Sequence, residues 1–447
     1  MPGKPDSATA IGAEPRAAGT TPHASLASAA SDEPWWKKLG PGLITGAADD
    51  DPSGIATYTQ AGAQLGYGIA WTVLLTYPLM VGIQLASARI GRVTGKGLTE
   101  NFAQICPRWM VYSLVSLLVV ANVINLGADL NAMADSVKLV VGGTAAWYAL
   151  GFGALSLLLQ VFLPYRRYVV VLKWLTLSLL AYVGVALVVH VDWIMALKGA
   201  VLPTMQWNKD YVTTIVAILG TTISPYLFFW QAAQEVEEIH RVAEDLPLRV
   251  APSQRLPHLR RIRIDTLVGM GFSNLIAFFM IIAAAATLHA QGITTIETTA
   301  QAAQALRPIA GDLGFVLFAA GLIGTGMLAL PVLAGSAAFA VASLLQVKKG
   351  LNQTPQQATA FYAILAVAMI VGGGISVAGF NPIRTLYWAA VVNAVISVPI
   401  MVAVMWAASS PKLMGETVLG PKWKVLGWGA AAVMAAATIA MAGTMLV

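Results

Sequence analysis

The stretch 46–54, GAADDDPSG, sets three carboxylates, Asp49, Asp50 and Asp51, directly before Pro52 and inside an apolar segment. A second interruption, Ser224-Pro225, lies within VAILGTTISPYLFFWQAAQEVEEI. Proline has no N–H to donate and its ring clashes with the carbonyl four residues back, so a helix breaks before it. Each break bares carbonyls on one half-helix and N–H groups on the other. A carboxylate beside bare carbonyls is a set of hard oxygen donors, and its chemistry is cation ligation. Asn122, Asn125 and Asp129 recur at i, i+3 and i+7, one helix face. They read as the lining of an aqueous path or as a seam of hydrogen bonds between helices, with the charge of Asp129 favouring the path. Gln231, Gln234, Glu235, Glu237 and Glu238 follow the second break, as an acidic inner vestibule or as a helix end paired with the arginines of 241–263. Glu237 and Glu238 favour the paired helix end.

Catalytic chemistry finds no foothold. There is no G-x-S-x-G elbow and no H-E-x-x-H helix. None of the five histidines falls in the middle of an apolar segment, and the single cysteine, Cys106, excludes an internal disulfide or a multi-cysteine metal cluster. The chain therefore reads as a non-enzyme without a cofactor.

The elements that must position these residues are membrane helices. Of the 447 residues, 57% are hydrophobic and 11% charged, against about 25% charged in a soluble protein. Apolar segments long enough to span a bilayer recur about eleven times, from residue 40 to residue 446. They lie near 40–65, 69–89, 109–138, 145–164, 168–190, 211–235, 264–289, 312–345, 359–379, 386–408 and 425–446. Their length and lack of alternation exclude a β-barrel. Residues 1–36, rich in Ala, Ser, Gly and Pro, read as a disordered tail ending in Pro34-Trp35-Trp36, with Lys37 and Lys38 at the interface. The membrane domain covers 37–447.

Loop charge sets the orientation. With the N-terminus in the cytoplasm, 21 of the 27 Lys and Arg fall inside and five outside: Lys138, Lys198, Lys209, Arg307 and Arg384. Lys173 falls within a span. The bias fits the positive-inside rule with an odd number of spans and places the C-terminus outside a cytoplasmic membrane. It also accounts for the net charge of +6 without a nucleic-acid partner.

Spans one and six, the two broken ones, open units of five helices each, about 40–190 and 211–408, with an extra helix at 425–446. Five is odd, so the units have opposite topology. Paired interruptions in inverted repeats point to a transporter's midplane site.

The stretch GPGLITGAADDDPSG at 40–54 resembles the first helix of the natural resistance-associated macrophage protein (NRAMP) family of divalent-metal transporters, which carries a GPG and an Asp-Pro-Gly-Asn break. The resemblance implies an all-α, leucine-transporter-like fold with broken helices one and six. It implies metal ligation by Asp51, with Gly54 in place of the family's asparagine. It implies a carbonyl ligand from Ile223, Ser224 where the family has methionine, and Tyr226 where it has histidine. Asn125-Leu126-Gly127-Ala128 replaces the Asp-Leu-Ala-Glu stretch linked to proton movement, and Asn393 stands where a glutamine often coordinates.

These departures have a chemical direction. A thioether favours transition metals, whereas serine and water are hard ligands. An all-oxygen site with added room at Gly54 suits Mg²⁺, which keeps several waters. The pattern is similar to the NRAMP-related magnesium transporter branch, and implies transport of Mg²⁺, and also Mn²⁺, without proton coupling. Asp49, Asp50, Asn125, Asp129, Tyr226, Gln231 and Asn393 are expected along the path or around the ligands. A proton-coupled Mn²⁺/Fe²⁺ importer and a sodium-coupled carrier of organic solutes on the same fold remain open, and the oligomeric state is not set by the sequence.

Overall fold

The computed structural model describes residues 41–163 and 177–446. The tail at 1–36, the interfacial Trp35, Trp36, Lys37 and Lys38, and Arg166, Arg167 and Lys173 lie outside the described residues. Those described form helices and connections, with no strand among them.

In chain order the helices are α1 (Pro41–Asp49), α2 (Pro52–Leu65), α3 (Trp71–Thr94), α4 (Leu98–Ile105), α5 (Arg108–Val141), α6 (Ala145–Phe162), α7 (Leu180–Val188) and α8 (Trp193–Val201). They continue as α9 (Lys209–Thr222), α10 (Pro225–Arg241), α11 (Arg255–Thr287), α12 (Gly314–Leu344), α13 (Thr359–Ser376), α14 (Pro382–Ser409) and α15 (Pro421–Leu446). Nine stretches among the described residues are long and apolar enough to cross a membrane, with α9 and α10 counted as one. The pair α1 and α2 supplies the interrupted first span, and α7 the described part of the fifth. The first part of the expected fifth span lies outside the described residues.

Burial separates centre from rim. The most apolar window of the α9–α10 stretch is 94% buried inside the protein, whereas that of α6 is 17% buried. The second broken span is thus the axis of the bundle, and α6 presents its side chains to lipid. Helix α11 packs along both α1 and α2, and α9 packs on α14. Close approach needs small residues at two points. A Cβ on Gly46 of α1 would lie 2.3 Å from the Gly269 carbonyl oxygen of α11, and one on Gly220 of α9 would lie 2.0 Å from that of Ala390 on α14. Only a glycine lets the backbones meet there. Helix α11 begins at Arg255, about nine residues before the expected span, and its Arg261 is tied to the buried Glu235 of α10.

Candidate metal centre

Both breaks follow from their prolines. Pro52 and Pro225 each occupy the first turn of a half-helix, where a missing N–H and a fixed φ are tolerated. The residue before each is forced into extended backbone, with ψ 171° at Asp51 and 138° at Ser224. The first interruption is shorter than the sequence suggested. It comprises Asp50 and Asp51, whereas Ser53 and Gly54 already belong to α2.

Asp51 is the N-cap of α2. Its Oδ1 accepts from the Gly54 amide at 2.8 Å and from the Ser53 hydroxyl at 2.6 Å. Its Oδ2 accepts from the Tyr226 hydroxyl at 3.0 Å, which crosses from the opposite half-helix α10. The two breaks therefore face each other, and Asp51 is held from both. The same tyrosine lies 3.3 Å from the Ala48 carbonyl oxygen. Tyr58 of α2 meets Thr222 of α9 at 2.8 Å, and Ser53 meets Thr221 at 3.3 Å. The junction is lined with hydroxyls.

Ile223 ends α9, and its carbonyl accepts from Ser397 of α14 at 2.9 Å, leaving one lone pair for a further partner. The Ser224 hydroxyl turns back onto its own helix and donates to the Gly220 and Thr221 carbonyls, at 2.8 and 3.0 Å. Its oxygen keeps lone pairs, but its proton is committed. Gly54 does not border an open space. A Cβ there would lie 3.4 Å from both Thr221 Oγ1 and the Tyr58 ring, so the gap takes a methyl group and is closed by a hydroxyl and a ring.

The three successive aspartates divide. Ser273 of α11 lies 2.6 Å from Asp49 Oδ2 and 3.1 Å from Asp50 Oδ1, so one hydroxyl serves both. Asp51 turns instead to Tyr226. Asp129 lies near enough to Asp51 for their charges to act on each other, and both its oxygens are buried without a hydrogen-bond partner. All four carboxylates are at most 1% exposed, and none forms an ion pair with a basic side chain among the described residues. Carboxyl groups buried so completely are either protonated or held against a cation. No three His, Cys, Asp or Glu are arranged to share a metal ion among the described residues. The donor set at the junction is a carboxylate with carbonyl and hydroxyl oxygens.

The remaining candidates sort by contact. Asn125 donates to Asn393 of α14 at 3.0 Å, which pairs two expected path residues with each other. Asn122 is a seam residue, bound to Leu333 and Ser336 of α12 at 2.8 and 2.7 Å. Gln231 accepts from Thr45 of α1 and keeps its Nε2 buried without a partner. Glu235 is buried against Arg261, Glu238 pairs with Arg241, and Glu237 accepts from Asn352. Glu235 and Glu238 thus pair with arginines of 241–263, as the plainer reading of the sequence held, whereas Glu237 meets an asparagine and Gln234 keeps its Nε2 buried without a partner. Ser273, Ser397 and Thr221 were not foreseen. Thr221 stands three positions before Ser224-Pro225, a signal that was available. Ser273 and Ser397 are serines within apolar stretches and carry none.

A family model described as natural resistance-associated macrophage protein-like matches residues 42–444. A divalent metal cation transporter MntH of Acidiphilium cryptum is 28% identical over 390 residues, 84% of this chain and 83% of its own. One of Klebsiella pneumoniae is 26% identical, over 89% of this chain and 91% of its own. Among solved structures, the manganese transporter of Eremococcus coleocola matches with a TM-score of 0.72 at 15% identity, over 92% of this chain and 88% of that one. Mhp1, a nucleobase-cation-symport-1 family transporter, matches with a TM-score of 0.53 at 14% identity, over 91% and 93%. The fold is thus the one expected, and the chain belongs to the natural resistance-associated macrophage protein-like family, whose members are membrane transporters and not enzymes.

Proposed function

We propose that this protein carries a divalent metal cation across the cytoplasmic membrane by alternating access around the junction of the two breaks. The observation that carries this reading is Asp51, fixed by the α2 N-terminus on one oxygen and by Tyr226 of the opposing half-helix on the other. The proposed ligands are the Asp51 carboxylate, the Ile223 carbonyl, the Ser224 hydroxyl oxygen and water, with Gly54 offering no side chain. The relatives named as divalent metal cation transporters support the ion class. The hardness of this oxygen set supports Mg²⁺, with Mn²⁺ also carried, since Ser224 stands where the family's methionine would place sulfur. Calorimetric titration of the purified protein tests it, with weak and comparable binding of Mg²⁺ and Mn²⁺ expected. Tight Mn²⁺ binding that excess Mg²⁺ fails to displace would reject the magnesium reading.

We further propose that transport is uncoupled from protons, because Asn125, Ala128 and Tyr226 replace groups that titrate. One observation favours the coupled alternative: Asp129 keeps two unpartnered oxygens beside Asp51. Metal-driven flux in proteoliposomes with an internal pH dye decides between them. We expect no acidification in the wild type. Acidification that disappears in Asp129→Asn, with metal flux retained, would establish coupling through Asp129 instead.

A further inference from the structure

A cavity of about 350 Å³ opens on the side of the bundle where α5, α13 and α14 meet. Its wall along α14 is ordered. Arg384, Trp388 and Val392 follow at i, i+4 and i+8 on one face, with Ala389 beside them, and Ile124 of α5 and Ile375 of α13 close the opposite side. The stripe runs about 12 Å along the helix at 1.5 Å per residue. Charge sits at one end of it and only apolar surface at the other. Arg384 is exposed, lies in the first turn of α14 and forms no ion pair among the described residues. Trp388, 43% exposed, stands between the charge and the apolar end, as interfacial tryptophans do.

We infer that this groove binds one phospholipid with an anionic headgroup, the phosphate at Arg384 and an acyl chain along Trp388 and Val392. The polarity gradient matches an amphiphile and not a compact solute: a soluble phosphate leaves the apolar wall bare, and a neutral tail leaves the arginine unpaired. The partial positive charge of the α14 N-terminus adds to that of Arg384. A headgroup carrying its own ammonium brings a like charge to the same place, so an anionic lipid is preferred. The site has a structural neighbour of consequence. Ile124 and Val392 directly adjoin Asn125 and Asn393, whose hydrogen bond ties α5 to α14. A seated acyl chain therefore packs against the outer side of that contact.

The test is native mass spectrometry of the full chain in neutral detergent, titrated with phosphatidylglycerol or phosphatidylcholine of the same acyl chains. One phosphatidylglycerol per chain should be retained about fivefold more strongly than phosphatidylcholine, the contribution of one interfacial arginine. Arg384→Gln should lose that preference and Arg384→Lys should keep most of it, with unchanged melting temperatures showing that both variants fold. Equal retention of the two lipids by the wild type, or an undiminished preference in Arg384→Gln, would overturn the inference. So would displacement of the lipid by an equal concentration of glycerol 3-phosphate, which would mark a phosphate site. A dimer in place of the lipid adduct would assign the groove to a second copy of the chain and overturn it likewise.

Discussion

At the scale of single residues, Asp51 performs two tasks that a substitution can separate. Its Oδ1 caps α2, and its charge is proposed to bind the ion. Asparagine caps a helix about as well as aspartate, whereas alanine gives up about 1 kcal/mol. Asp51→Asn should therefore melt within about 0.5 kcal/mol of the wild type and still lose Mg²⁺ and Mn²⁺ binding by at least about tenfold, 1.4 kcal/mol. Calorimetry and thermal melts of the same preparations check both halves, and an unchanged ion affinity in Asp51→Asn would remove Asp51 from the site. Ser224 provides the complementary change. Its hydroxyl is bonded back onto α9, so replacing it with a thioether breaks no hydrogen bond across the junction. Ser224→Met should shift preference from Mg²⁺ towards Mn²⁺ and Cd²⁺ by about tenfold in competition titrations, because sulfur is the softer ligand. A selectivity identical to that of the wild type would show that position 224 does not face the ion. At this scale the sequence disclosed residues whose chemistry is costly in a membrane, such as Asp51 and Asp129. It hid those whose role is only to hold them. Ser273 is one serine in an apolar helix, 224 positions from Asp49, and nothing local distinguishes it.

At the scale of elements, the breaks and the spans were legible because their causes are local. Proline stops a helix wherever it sits, and a run of apolar residues has the length of a bilayer regardless of its neighbours. What stayed hidden was which helix braces the first break, since that depends on backbone approach. Helix α11 does so. Its Asp265 accepts from the Gly42 amide at the start of α1 at 2.6 Å, and its Gly269 carbonyl rests where a side chain on Gly46 would be. Gly46→Ala should therefore force α1 from α11 and destabilise the protein by about 1–3 kcal/mol, the usual penalty of overpacking. The control is Gly151→Ala in α6, where an added Cβ meets nothing within 4 Å. That change should be neutral or slightly stabilising, since alanine is the better helix former. Thermal melts in one detergent compare the two. Equal melting temperatures for both variants would show that the α1–α11 contact is not tight.

At the scale of the whole molecule, the fold sorts the loops into two ends, and the loop charges predict which end faces the cytoplasm. Contacts between distant loops do the sorting. Lys349 pairs with Glu100, Arg92 with Asp245 and Arg255 with Glu416, while Lys412 reaches the Gln104 carbonyl. Every one of these joins loops that the charge count places inside. At the other end, Asn131 bonds Phe380, Asp135 bonds Thr299 and Asn381 bonds Glu297, joining loops placed outside. The two assignments agree although they rest on different physics, contact in one case and the preference of Lys and Arg for the cytoplasm in the other. Helix α15 begins beside Lys422 and Lys424 at the basic end and finishes at Leu446. Its C-terminus should then lie outside. An alkaline phosphatase fused after residue 446 should be active and a green fluorescent protein fused there dark, whereas phosphatase fused after Lys349 should be inactive. The reverse pattern would invert the topology as a unit, because the loop contacts forbid turning one hairpin without its partners.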